Sequence, residues 1–203
     1  MISAVEALAR LREGNLMFAA GRQPSEDRVG PARRKELVAK QEPIAIILGC
    51  SDSRITPEFV FGQGVGDLFV IRVGGHAVLQ AQVGSIEFAA ALLRTPLVVV
   101  LGHSGCGVVE AALKNMLSPL KLPENLRAMV ERVTRSIQEI LTEPPEAVTE
   151  ELIDRGVRAN VRSCVEQLRH GSPELEEMIQ NGRLRIVGAE YSLKTGLVDF
   201  LPD

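Results

Sequence analysis

Two short segments hold the side chains best suited to chemistry. The first is Cys50-Ser51-Asp52-Ser53-Arg54, where a locally extended backbone points Cys50, Asp52 and Arg54 the same way. A thiolate, a carboxylate and a guanidinium then converge. The second is Gly102-His103-Ser104-Gly105-Cys106-Gly107, whose His-x-x-Cys spacing lets an imidazole and a thiolate share one metal ion across a tight turn that the glycines permit. Together Cys50, His103 and Cys106 make a Cys₂His set with a fourth tetrahedral position open, the pattern of catalytic rather than structural zinc. Sulfur ligands favour zinc over magnesium or calcium.

Each cysteine has a plainer reading as a small buried hydrophobe. Both, however, follow apolar runs, one with His103 three residues before it and the other with Asp52 and Arg54 just after, and this favours ligands. Cys164 sits inside a helical pattern with no His or Asp at ligand spacing and is expected in the core. His170, before Gly171 at the end of that helix, is expected as a cation favoured by the helix C-terminus. Strand, Gly-x-Ser and helix around Ser104 resemble a nucleophile elbow, but Cys106 stands where that elbow needs Gly, and His170 is the only later histidine. Gly62-Gln63-Gly64-Val65-Gly66 precedes a strand and no Gly-Lys-Ser/Thr ending exists, so those glycines read as turns rather than a phosphate cradle.

The elements that must position these residues follow from apolar periodicity. Ile44–Gly49, Leu68–Arg72, Leu97–Gly102 and Leu184–Gly188 are short apolar runs, the last interrupted by Arg185, and read as buried strands covered on both faces. Helical patterns at Val83–Arg94 and Val108–Met116 flank the third run, and two long amphipathic patterns, Pro123–Leu141 and Val148–His170, are separated by Pro144-Pro145. Alternation of this kind predicts an α/β fold, a mainly parallel β-sheet flanked by helices. Thr195-Gly196 turns the chain into a last strand, Leu197–Leu201. Ahead of the sheet, Ser3 and Glu6 make a capping box and Val5, Leu8 and Leu11 share one face, which predicts an amphipathic N-terminal helix. A polar stretch, Gly21–Pro31, leads to a short charged helix, Ala32–Lys40. In such sheets ligands gather at the carboxyl ends of strands, where both motifs lie.

Composition narrows the function classes. The chain has 203 residues, 45% apolar and 24% charged, with a formal net charge of −3. That length suits one domain, 1–203, with a helical arm over 1–40 and an α/β core over 41–203. Seven aromatics, six Phe and one Tyr with no Trp, and no dense basic run argue against a nucleic-acid partner. No apolar run approaches the roughly 18 residues of a membrane span, and the first twenty residues carry charges unlike a signal peptide. Three cysteines are too few for a disulfide framework, so a cytoplasmic location is expected.

Cys50-x-Asp52-x-Arg54 with His103-x-x-Cys106 resembles the β-class carbonic anhydrases. Gly84-Ser85-Ile86-Glu87-Phe88, Tyr191 and Thr195-Gly196 extend the likeness over roughly Gln41 to Leu201. The resemblance implies Zn²⁺ on Cys50, His103 and Cys106, reversible hydration of carbon dioxide to bicarbonate, and a homodimer or multiple of dimers in which N-terminal helices reach over a partner. It implies that Asp52 orients the zinc-bound nucleophile while Arg54 holds Asp52 off the metal. Gln41 stands where members with an open site carry a substrate-binding glutamine, and Phe69 and Phe88 match apolar substrate-pocket positions. Relatives of the family hydrolyse carbonyl sulfide or carbon disulfide with the same chemistry, and a silent zinc-bearing bicarbonate sensor is the alternative from another class. One departure stands out: Arg72-Val73-Gly74-Gly75-His76 replaces the common Arg-Asn-Ala-Gly-Asn. His76 is expected as an exposed loop histidine, with a proton relay as its alternative.

Overall fold

Ser3 opens the first helix, α1 (Ala4–Ala19), with the expected capping box: its hydroxyl accepts from the Glu6 N–H at 3.2 Å and the Glu6 carboxylate accepts from the Ser3 N–H at 2.7 Å. The helix buries Ala7, Leu8, Leu11 and Asn15, whereas Val5 is exposed, a correction to the expected apolar face. Each step of three residues falls about 60° short of a full turn, so the stripe drifts and leaves Val5 outside it. Helix α2 (Pro31–Glu36) is shorter than the expected Ala32–Lys40. The computed structural model describes residues 2–22, 24–138 and 147–202, so Glu139–Leu141 and Pro144-Pro145 lie outside the described residues.

The predicted strands form one sheet: β1 (Ala45–Gly49), β2 (Leu68–Arg72), β3 (Leu97–His103), β4 (Arg185–Tyr191) and β5 (Val198–Phe200). Their spatial order is β2-β1-β3-β4-β5, with β5 antiparallel to β4 and the other neighbours parallel. β1 and β3 are buried throughout, as continuous apolar runs require. β2 differs from expectation: it is an edge strand and stays half-exposed from Leu68 to Ile71. The chain leaves β1 toward β2 on one side and later places β3 on the other, so the strand order reverses between β1 and β3. A crevice at the carboxyl ends of these two strands is the ligand position of an open parallel sheet.

Around the sheet lie α3 (Pro57–Val60), α4 (Gln80–Glu87) running on into a π turn (Phe88–Leu92), α5 (Gly107–Leu117), α6 (Glu124–Ile137), α7 (Glu150–His170) and α8 (Pro173–Gln180). Sequence periodicity missed α3 and α8, each begun by Pro at its first turn. α7 packs on β3 and β4 at a distance that two strand glycines set. A Cβ added at Gly188 would come within 2.7 Å of Val161 Cγ1, and one at Gly102 within 2.7 Å of Val161 Cγ2 and Val157 Cγ1. Cys164 on α7 is buried as expected, and burial pushes its thiol up to about 12. His170 closes α7 beside Glu166 and Glu176, at 3.4 and 3.7 Å.

Candidate metal centre

The two strands at the reversal deliver the candidate metal-binding residues. Cys50 follows β1 directly, His103 is the last residue of β3, and Cys106 caps the N-terminus of α5 after a turn through Gly105, whose φ of +61° suits glycine. The ligand atoms of Cys50, His103 and Cys106 all lie within 4.8 Å of one another, and all three residues are buried.

Two features show that this donor set fits a soft divalent cation. His103 Nδ1 lies 2.9 Å from the Ser104 carbonyl, which fixes the proton on Nδ1 and leaves the Nε2 lone pair free. Nε2 is buried and has no hydrogen-bond partner among the described residues, a cost that a metal ion would remove. Meanwhile the Cys50 thiol is drawn far below the ordinary range by a hydrogen bond from Cys106, with His103 and the Asp52 and Gly75 amides adding to it against burial. The same contact and burial push Cys106 up. Two sulfurs that share one proton in a buried pocket hold one thiolate already, and a cation would gain the second on release of that proton.

Asp52 stands beside this cluster, its Oδ2 3.9 Å from His103 Nε2. Arg54 grips both carboxylate oxygens, Nε to Oδ1 at 2.9 Å and Nη2 to Oδ2 at 2.7 Å, and its own N–H donates to Oδ1 at 2.9 Å. The Arg54 side chain holds Asp52 well below the usual carboxylate range, against the opposing effect of burial. Arg54 Nη2 also reaches the Gly105 carbonyl at 3.2 Å, tying the first motif to the second. The Ser104 hydroxyl accepts from the Leu193 N–H at 3.0 Å. Gly62 and Gly66 are turns with positive φ, as expected.

Sequence reasoning missed the residues that brace the cluster. Arg72, on the edge strand, donates to the Cys50 carbonyl at 2.9 Å and the Asp52 carbonyl at 2.6 Å. The Gly75 N–H points at Cys50 Sγ, 3.4 Å away. His76 is a correction: it is fully buried, not an exposed loop residue. α5 and α6 pack over its turn, and burial pushes its imidazole down to about 4, which also removes the solvent contact a proton relay needs.

Gln41, Phe69 and Phe88 are not assembled with the cluster of their own chain. Gln41 is exposed and precedes β1, whereas Cys50 follows it. Phe69 pairs in register with Ile46 near the start of β1, and its ring lies 6.2 Å from that of Phe88, which is half-exposed.

Comparison with known proteins agrees with this geometry. The carbonic anhydrase family model matches residues 45–198. A carbonic anhydrase of Mycolicibacterium smegmatis is 39% identical over 196 residues, covering 96% of this chain and 92% of that protein. Carbonic anhydrase 2 of Mycobacterium tuberculosis is 40% identical over 192 residues, covering 95% and 90%. Among solved structures, the β-carbonic anhydrase CafA of Aspergillus fumigatus superposes with a TM-score of 0.77 at 27% identity, covering 97% of this chain and 89% of that one.

Proposed function

This chain belongs to the β-class carbonic anhydrases, enzymes that hydrate carbon dioxide, and from that premise we propose that Cys50, His103 and Cys106 hold zinc while Asp52 and Arg54 orient the nucleophile that converts carbon dioxide to bicarbonate and a proton. The observation that carries this reading is the donor cluster within 4.8 Å, with the Asp52 carboxylate beside it in Arg54's two-point grip. Zinc supplies a nucleophile at neutral pH by lowering the pKa of water to about 7, the value known for carbonic anhydrase.

The protein's own groups do the rest. Asp52, ionised throughout the neutral range, is an acceptor only; it takes a hydrogen bond from the nucleophile's O–H and leaves a lone pair facing carbon. In this reading Arg54, by occupying both carboxylate oxygens, holds Asp52 off the metal, the open form of the site. A carboxylate held this far below its usual range orients the proton without retaining it, so the proton leaves to water or buffer.

Gln41, Phe69 and Phe88 are the substrate-side residues of this reading. β1, five residues at about 3.3 Å each, separates Gln41 from its own cluster, so these residues serve the cluster of a second copy. The half-exposed edge strand β2 and exposed Leu79, Phe88 and Leu92 provide the surface for that homodimer or multiple of dimers. We read residues 1–203 as one domain with an arm over 1–40. A cytoplasmic location fits three free cysteines, two of them needed reduced as ligands.

Stopped-flow hydration of carbon dioxide on metal-quantified protein tests the proposal, with Cys106→Ser as control. Rapid turnover that tracks zinc content and is absent in the control is expected. Zinc without hydration would overturn it and turn attention to carbonyl sulfide or carbon disulfide.

A further inference from the structure

The turn Gly74–His76 carries two successive residues in the left-handed region, Gly75 at φ +64° and His76 at φ +43°. For histidine that conformation is strained, and it persists only where surroundings enforce it. Its product is a backbone N–H, that of Gly75, aimed at Cys50 Sγ. What enforces it comes from far along the chain. Asn160, on α7 and 1% exposed, places its Nδ2 2.8 Å from the Gly75 carbonyl and 2.8 Å from His76 Nε2. One amide group thus satisfies acceptors on both left-handed residues. The Cys164 thiol adds a weak contact to the His76 carbonyl at 3.6 Å. Burial keeps the His76 imidazole neutral, so Nε2 is free to accept.

We propose that Asn160 is a positioning residue for the metal centre: its side-chain amide locks the Gly75–His76 turn so that the Gly75 N–H donates to the Cys50 sulfur. This rests on the reading of Cys50 as a zinc ligand. An N–H···S bond withdraws electron density from the thiolate and fixes its direction, so the clamp sets both the hold on the metal and its acidity.

Cobalt(II)-loaded protein reports on the sulfur directly through its thiolate-to-metal charge-transfer band. Asn160→Ala is expected to move that band to longer wavelength, because an unbonded thiolate gives up electrons more easily, and to lower metal affinity about 10–100-fold. Val165→Ala, a buried truncation on the same helix away from the turn, controls for lost packing: its band should match wild type. Should Asn160→Ala not fold, Asn160→Ser, too short to reach both acceptors, is read the same way. A band and affinity in the Asn160 variant equal to those of Val165→Ala would overturn the inference while leaving the zinc reading intact. No thiolate band in the wild-type protein would sink the zinc reading, and this inference with it.

Discussion

Gly188→Ala tests how α7 is held against the sheet, and the magnitude follows from the geometry around one valine. Replacing a strand glycine by alanine should by itself favour folding by about 0.5–1 kcal/mol, through the freedom the unfolded chain loses. Against that, the new methyl would lie 2.7 Å from Val161 Cγ1, where carbon atoms rest at about 3.5–4.0 Å. Val161 must retreat by about 1 Å. Rotation offers no escape, because a helical valine is confined to one χ1 well and its other methyl is already pressed toward Gly102. Overpacking costs about 1–3 kcal/mol, and with both methyls blocked the upper half of that range applies, giving a net loss of about 1–2.5 kcal/mol. In thermal unfolding of the metal-loaded protein this is a fall of roughly 2–10 °C. Val161→Ala removes the obstructing methyl, so it should destabilise alone yet cost at least about 1 kcal/mol less in the double variant than the single effects sum to. Strict additivity, or a stabilised Gly188→Ala, would refute the claim that glycine at this place exists to admit α7.

Arg54→Ala removes both side-chain bonds to Asp52 and should lower hydration activity about 10–100-fold with zinc content unchanged, measured by stopped flow beside metal analysis; full activity would remove Arg54 from the mechanism. Asp67 is the acidic hub that pins the N-terminal arm, meeting Arg10 at 3.2 Å, Arg33 at 3.4 Å, Arg28 in a shorter contact and the Gly64 N–H at 2.7 Å. Although burial opposes it, the Gly64 amide and Arg28, with Arg10, hold its pKa below the ordinary 3.8. The contribution of a depressed carboxylate is present above the unfolded value and lost as pH falls through the folded one. Urea titrations should therefore show Asp67→Asn about 1 kcal/mol less stable than wild type at pH 7, because the arginines are partly solvated, with the gap narrowing below about pH 4; a gap independent of pH would contradict this.

The Cys50, His103 and Cys106 cluster and its partners Asp52 and Arg54 were legible because their signal is local. Each motif spans six residues or fewer, and its glycines and apolar lead-in strands are written beside it. The same holds for the capping box at Ser3 and for the parallel strands β1 and β3, whose apolar runs state their burial directly, whereas the similar run of β2 became a half-exposed edge. α8 had a readable start in Ser172-Pro173 that periodicity alone passed over; α3, a single turn, had almost none.

Other features depend on what packs over a residue, and sequence neighbours carry no record of that. His76 looks like a loop histidine until α5 and α6 close over its turn and Asn160 arrives from α7. Arg72 sits among apolar residues as a strand's polar end, and only the parallel register Gly49↔Arg72 brings it to the Cys50 and Asp52 carbonyls. The donor chemistry of the cluster, then, came from residue type and short spacing, because sulfur and imidazole nitrogen are donor atoms by their own composition, whereas burial and neighbours set their acidity. Their bracing, the strand order that sets β1 beside β3, and the separation of Gln41 from its own cluster came from tertiary structure, because hydrogen bonds across tens of residues exist only once the sheet has chosen its neighbours.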